Sequence, residues 1–299
     1  MQCPVCGSPP LEEAPLAGPD RFQGTPGTFT VVTCSACGAG WTLPAVPPEE
    51  LGAYYPPSYG YLSTGAPQRR LQRLVMDRAL KAPPLKTIAD ATPGSLLDVG
   101  CGRGDLGAAF IRRGWRAGGV EPSPEACAVA RSQGVEARQG TLDSIELPDG
   151  SFDAAVMRHS LEHVPDPITD LRHVLRLLRP GGLLAISVPN FDSWERRRFG
   201  SAWFHLDLPR HRTHFTPPAL RLALTKTGFE VRSLETASDA GSVLATLQYR
   251  LAGRLLSGSV PALSAQYGVG MLLSPLRALL DRQQGGGPFL HAVARRPLA

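Results

Sequence analysis

Leu96-Leu97-Asp98-Val99-Gly100-Cys101-Gly102-Arg103-Gly104 is the stretch that decides the fold. Its first four residues read as a short buried strand, three glycines at alternate positions follow, and Asp105 to Arg113 reads as a helix. A strand that enters a glycine-rich turn and leaves as a helix forms a cradle of backbone amides for a closely approaching ligand. One such turn is a weak signal, and its neighbours strengthen it. Gly118-Gly119-Val120 reads as a second strand ending in Glu121, about 20 residues on, where an acid accepts hydrogen bonds from two ribose hydroxyls. Ser123 and Pro124 then read as N-cap and first residue of a helix lasting to about Gln133. The glycines lack the GxGxxG spacing that packs a pyrophosphate, and no Lys-Ser/Thr of a phosphate loop follows. The expected ligand therefore carries a ribose and no pyrophosphate.

With 299 residues, 42% hydrophobic and 19% charged, the chain can hold one large α/β domain and a smaller module. Peptide-sized, disulfide-only and wholly disordered classes are excluded. The charge of +5 and pI near 9.0 come from 28 Arg and only 3 Lys (Lys81, Lys86, Lys226), a bias that reads as GC-rich codon usage. Dispersed arginines of this kind do not argue for a polyanionic partner, so nucleic acid is not the expected ligand. The opening Met1-Gln2-Cys3-Pro4 lacks the apolar run of a secretory signal and points to the cytoplasm. The uncharged run between Arg254 and Arg277 is broken by Gly258, Pro261, Gly268, Gly270 and Pro275, which argues against a spanning helix.

Four of the six cysteines form two CxxCG units, Cys3-Pro4-Val5-Cys6-Gly7 and Cys34-Ser35-Ala36-Cys37-Gly38. In each, the glycine permits the tight turn that aims two sulfurs at one ion. Four thiolates closing a tetrahedron imply structural Zn²⁺ with no position open to substrate, and in a cytoplasmic protein disulfides are the weaker alternative. Phe29 to Thr33 reads as a strand between the pairs, so residues 1–45 are expected to form a zinc ribbon. Residues 46–90 read as a proline- and tyrosine-rich linker followed by a helix from about Gln68 to Lys81, with Leu71, Leu74, Val75 and Leu80 on one side. The tyrosines of this linker, Tyr54, Tyr55, Tyr59 and Tyr61, are expected to pack on the main domain, with a place at a substrate entrance as the sharper alternative.

From Ser95 to about Gly228 the chain resembles the class I S-adenosylmethionine-dependent methyltransferases. Five landmarks in order carry the resemblance: Leu97 to Gly104, Val120-Glu121-Pro122, Leu147 to Val156, Leu161-Glu162-His163-Val164, and Leu178-Arg179-Pro180-Gly181-Gly182-Leu183-Leu184. The resemblance implies a Rossmann-like α/β fold with a seven-stranded sheet over residues 91–299 and S-adenosylmethionine as cofactor. It places the methionine moiety at Asp98 and the Gly100-Cys101-Gly102-Arg103-Gly104 turn, the ribose at Glu121 and the adenine at Thr141 and Leu142. Arg158 and His159, in Met157-Arg158-His159-Ser160, would lie beneath the sulfonium. Cys101 reads as packing at the turn and His163 as structural at a helix start. A CxxCG ribbon followed by Glu50-Leu51-x-x-Tyr54-Tyr55 and this core is similar to enzymes of polysaccharide, glycolipid and natural-product pathways. Ribbons fused to rRNA methyltransferases differ in using histidine in the second half.

Methyl transfer to a hydroxyl needs the acceptor aligned with the methyl group and a proton removed. Trp203 to Phe215 carries three of the chain's 7 histidines in ten positions, and imidazoles titrate near neutral pH. Its Pro209, His211 and Phe215 match a pattern on the acceptor side of the resembled family. His211 is the expected base or acceptor-positioning residue and His205 the second candidate, while a metal held by His205, His211 and Asp207 lacks a supporting carboxylate cluster. Arg196-Arg197-Arg198 and Arg210-His211-Arg212 are candidates for a phosphate or carboxylate of the acceptor, a solvated helix face being the alternative for the first. Residues 242–282 replace a short hairpin with two leucine-rich helices, expected as a lid before the last strand or as an apolar surface for a lipid-linked acceptor at a membrane. The expected activity is O-methylation of a sugar, glycoconjugate or other small metabolite. RNA methylation with the ribbon docking RNA, and S-adenosylmethionine binding without turnover, are the alternatives.

Overall fold

A computed structural model describes residues 2–55, 66–239, 241–254 and 274–298. Tyr59 and Tyr61 of the linker, and the middle of the expected lid, lie outside the described residues. The chain opens with an antiparallel meander, β1 (Leu16–Gly18), β2 (Phe29–Thr33) and β3 (Gly40–Leu43). Helices α1 (Ala66–Ala79) and α2 (Leu85–Ala89) lead into β4 (Ser95–Val99), α3 (Asp105–Ile111), β5 (Arg116–Glu121), α4 (Pro124–Ser132) and β6 (Glu136–Gln139). Then come β7 (Phe152–Arg158), α5 (Pro167–Leu177), β8 (Leu178–Pro189), α6 (Trp194–Phe199), β9 (Thr213–His214), α7 (Pro217–Lys226) and β10 (Glu230–Ala237). Helices α8 (Ser242–Ala252) and α9 (Ser274–Gln283) precede the last strand, β11 (Phe289–Arg295).

Seven strands form one sheet in the order β10-β11-β8-β7-β4-β5-β6, parallel except for β11, which runs antiparallel to both neighbours. This is a Rossmann-like methyltransferase sheet. The chain leaves β4 to build β5 and β6 on one side and returns to build β7 and β8 on the other. The crevice beyond the C-terminal end of β4 is thus the switch point at which open α/β sheets bind ligands. Both sheet faces are covered: Leu96 packs with Leu85, Ile88 and Phe110, while Leu97 packs with Val120, Met157 and Leu171. Burial on both sides is why Leu96 and Leu97 are both apolar although they face opposite sides of the sheet.

Helix starts follow their caps. Ser123 accepts from the Ala126 amide, Asp166 from Ile168 and Thr169, and Thr216 from Ala219, each followed by a proline in the first turn. One local expectation is revised. In α1, Leu74 and Val75 are exposed, because the helix docks through its last turn, where Met76, Ala79 and the following Leu80 meet Phe110 and Leu106. At the start of β8, the Gly181 amide donates to the Arg296 carbonyl and the Arg296 amide to that of Gly182, extending the ladder.

The N-terminal meander is completed from far along the chain: β9 pairs with β3, setting Gly40 opposite His214 and Trp41 opposite Thr213. Buried Arg210 forms a second tie, bonding Asp20 and Asp207 at 2.6 to 3.2 Å. Helix α8 buries Ala245, Thr246 and Tyr249 against the Phe204–Leu206 turn, with Thr246 Oγ1 accepting from the Phe204 amide at 3.0 Å. Arg277 of α9 is paired with Glu195 of α6. Helix α8 therefore packs onto the acceptor-side segment, and α9 is tied to α6 just before it. Among the described residues no helix is long and apolar enough to cross a membrane.

Candidate active site

Asp98, at the end of β4, is buried, and burial pushes its carboxyl up to about 7, with Arg158 pulling it down and Glu121 pushing it further up. The turn that follows is built of left-handed glycines. Gly104 has φ +80°, and a Cβ there would meet Ala130 Cα at 2.9 Å. Gly102, with φ +52°, differs, since a Cβ there would meet nothing within 4 Å and open space lies above it.

The expected amide cradle is corrected in one respect. The amides of Gly100 and Cys101 both donate to the Val120 carbonyl, at 2.8 and 3.1 Å, and that of Gly102 to Glu121 Oε2 at 3.0 Å. These three donors are spent within the protein. A buried acid beside a turn whose first three amides are committed suits a cationic ligand group better than an anionic one. The Cys101 thiol is turned away from the crevice, toward Gly119, whose absent side chain makes the room. Glu121 is held from both sides, its Oε1 accepting from the Ser123 amide at 2.9 Å. Its remaining lone pairs can accept from a diol. Beyond β6, Leu142 is buried and Thr141 exposed, beside an open groove of about 720 Å³ lined by Leu142, Asp143 and Ile145.

Across the crevice, β7 ends in Arg158, and His159 follows it. His159 has φ +54°, a left-handed conformation uncommon outside glycine and frequent at functional sites. Ser160 lies against Gly100, which admits no Cβ. Next comes Glu162, whose backbone carbonyl accepts from the Arg212 and Thr213 amides at 2.8 and 3.1 Å. Those bonds draw the histidine-rich segment onto the turn after β7. The Glu162 carboxylate is buried, and neither oxygen has a hydrogen-bond partner among the described residues. His159 Nδ1 is 3.6 Å and His211 Nε2 4.0 Å from its Oε1. Burial raises the Glu162 carboxyl but the imidazoles of His159, His163 and His211 outweigh it, bringing it to about 2.

His211 is buried. Its Nδ1 lies 2.9 Å from the His205 carbonyl, and its Nε2 lies 3.8 Å from Asp207 Oδ2. His205 takes part through that carbonyl. Its own ring packs on Phe289 at 4.6 Å with Nε2 lacking a hydrogen-bond partner among the described residues, and burial, then His159 and His211, push its pKa down to about 3. The segment's third histidine, His214, faces the ribbon sheet, its Nε2 2.9 Å from Thr42 Oγ1. Arg210 is committed to Asp20 and Asp207, and Arg196 stacks on Phe191 and donates to its carbonyl at 2.5 Å. Both are structural where an acceptor anion was one expectation.

A methyltransferase-domain model matches residues 68–234. The chain belongs to the methyltransferase domain family. The ubiquinone biosynthesis O-methyltransferase of Xanthomonas oryzae pv. oryzae (strain PXO99A) is 39% identical over 108 residues, which cover 34% of this chain and 45% of that protein. An uncharacterized methyltransferase of Mycobacterium sp. (strain KMS) is 39% identical over 113 residues, covering 36% of this chain and 45% of that protein. The chain thus aligns with less than half the length of these curated relatives. Among solved structures, an Archaeoglobus fulgidus SAM-dependent methyltransferase is similar with a TM-score of 0.51 at 19% identity, over 75% of this chain and 94% of that one. One from Thermotoga maritima gives 0.50 at 20% identity, over 76% and 91%. These likenesses show the fold, that of the class I SAM-dependent methyltransferases.

Against this methyltransferase domain sits the cysteine cluster. Cys3, Cys6, Cys34 and Cys37 bring their sulfurs within 4.8 Å of one another, with Cys3–Cys37 at 3.7 Å and Cys6–Cys34 at 3.4 Å. Disulfides, at about 2.05 Å, are excluded by these distances. Four Zn–S bonds of about 2.3 Å in a tetrahedron set sulfurs about 3.8 Å apart, so the cluster fits a zinc ion. Thr216, the cap of α7, donates to the Cys37 carbonyl at 3.0 Å, and Lys226 at its other end to that of Val5 at 3.1 Å.

Three residues of the acceptor side carry more than the sequence assigned them. Glu162 had no role, His163 lies in a turn and not at a helix start, and Tyr55 places its hydroxyl 2.9 Å from His163 Nδ1. The position of Glu162 and His163 inside a family landmark was the available signal.

Proposed function

We propose that this chain is an S-adenosylmethionine-dependent O-methyltransferase acting on a hydroxyl of a sugar or other small metabolite. The observation that carries the reading is His211, a buried imidazole held by the His205 carbonyl, with Nε2 beside two carboxylates, one of them in the turn after β7. When bound, S-adenosylmethionine supplies a methyl group on a sulfonium, a carbon open to in-line displacement. Asp98 holds the cationic methionine end, Glu121 accepts from the ribose hydroxyls, the open space over Gly102 admits the ligand, and Leu142 packs against the base. His159 borders the reacting centre. On the acceptor side, His211 Nε2 takes the hydroxyl proton, and the imidazolium so formed is stabilised by Glu162 and Asp207. O-methylation is supported by the printed name of the Xanthomonas relative, and a sugar acceptor by the ribbon and tyrosine-rich link.

Cys3, Cys6, Cys34 and Cys37 are proposed to hold structural zinc, the ribbon serving to fix the acceptor segment through β9. Zinc content is the check: about one ion per chain in the native protein, lost in Cys34→Ser together with several degrees of Tm.

The decisive test is release of S-adenosylhomocysteine with separate panels of sugars, small hydroxylated metabolites and RNA. A methyl ether formed on a small hydroxyl compound, slowed about 10²- to 10⁴-fold in His211→Ala, is expected. Turnover on RNA alone, or cofactor binding without any product, overturns the proposal.

A further inference from the structure

Glu162, His163 and His211 each bring one ligand atom to within 4.8 Å of the others. The backbone fixes the tautomer of His211, whose Nδ1 lies 2.9 Å from the His205 carbonyl. A carbonyl can only accept, so in the neutral ring Nδ1 carries the hydrogen and Nε2 keeps the lone pair. His163 Nδ1 lies between the Arg210 carbonyl at 3.1 Å and the Tyr55 hydroxyl at 2.9 Å, which hold that ring in place.

The His211 lone pair then faces Glu162 Oε1 at 4.0 Å and Asp207 Oδ2 at 3.8 Å. Glu162 is 1% exposed, with both oxygens unpartnered among the described residues. Lone pairs opposed in a buried site repel unless positive charge lies between them. The separations are too long for an N–H···O hydrogen bond. The His211–Glu162 separation is within the roughly 4.2 Å that two donors can span when each sits about 2.1 Å from one ion, and His163, within 4.8 Å of both, needs only a small inward shift to join them. His211, anchored through Nδ1–H to a carbonyl, is oriented as metal-ligating histidines are. Two imidazoles and a carboxylate suit a divalent first-row transition metal and leave positions open.

We infer that Glu162, His163 and His211 form a second metal site, distinct from the four cysteines, which takes a divalent transition-metal ion on the acceptor side of the crevice. An ion there supplies Lewis acidity next to the place of the acceptor hydroxyl. In the ion-loaded protein His211 is a ligand, and the ion replaces it in acidifying the acceptor. The binding claim stands on these side chains alone; only the ion's part in activating an acceptor rests on the function proposed above.

The full-length protein, its cysteines filled with zinc, is titrated with Co²⁺ and followed by calorimetry and visible absorption. One further ion per chain is expected, with d–d bands and without a thiolate charge-transfer band. Glu162→Gln and His163→Gln should each weaken it tenfold or more, with near-ultraviolet circular dichroism unchanged. Should one variant fail to fold, the other carries the comparison. No uptake by the wild type at millimolar Co²⁺, or equal affinity in the folded variants, overturns the inference; in the first case a proton fills the place between Nε2 and the carboxylates. Because binding is read directly, that failure is distinct from a failure of methyl transfer.

Discussion

The hydroxyl of Thr42, in the third strand of the cysteine-bearing sheet, donates to the backbone carbonyl of His211 at 2.6 Å and sits 2.9 Å from His214 Nε2. With its hydrogen given to the carbonyl, the same oxygen accepts from His214, so one buried side chain of the ribbon fixes two histidines of the acceptor segment. Thr42→Val keeps the shape and removes both bonds, leaving a buried carbonyl and a ring nitrogen unpaired. A loss of about 1–3 kcal/mol is expected by denaturant unfolding. Turnover should fall more than cofactor affinity, because the donor side is untouched. Equal losses in both would contradict the assignment.

Gly102 and Gly104 separate binding from folding. Gly102→Ala adds a methyl group into open space, at a left-handed cost of about 1–2 kcal/mol. It should fold and lose S-adenosylmethionine affinity. In Gly104→Ala the same strain combines with a clash against the Ala130 backbone, and Tm should drop much further. Thermal denaturation with and without cofactor distinguishes the two.

Asp98 predicts a pH dependence. With its carboxyl raised to about 7 by burial, the free folded protein holds this proton over pH values at which the unfolded chain, near ~3.9, has released it. The group's contribution to stability is present below about pH 4 and is lost as pH rises through 7. Binding of a cationic ligand favours the ionised form, so affinity should rise with pH up to about 7 and then level off, with proton release on binding below that. Calorimetry in buffers of different ionisation enthalpy measures this, and Asp98→Asn should flatten both dependences.

The parallel core was legible because its signals are local. Leu96 to Val99, the three glycines and Glu121 lie within a single βαβ unit, and Ser123 announces a helix by a cap that needs no tertiary partner. The cysteine cluster was legible for the same reason, each CxxCG being a complete turn. What the sequence concealed depends on long-range pairing. Glu162 becomes part of a site only because its carbonyl captures the Arg212 and Thr213 amides, and β9 is a strand only because β3 lies beside it. Leu74 and Val75 misled by helical periodicity, since α1 packs through its end and not along its length.

Cofactor binding at the C-terminal ends of β4 and β5 precedes every other step of the proposed reaction. Isothermal titration of the full-length protein with S-adenosylmethionine should give one site per chain, weakened tenfold or more in Glu121→Ala, in line with about 1.5–3 kcal/mol for bonds to a charged carboxylate. Absence of binding by the native protein, or an affinity unchanged in Glu121→Ala, would contradict it.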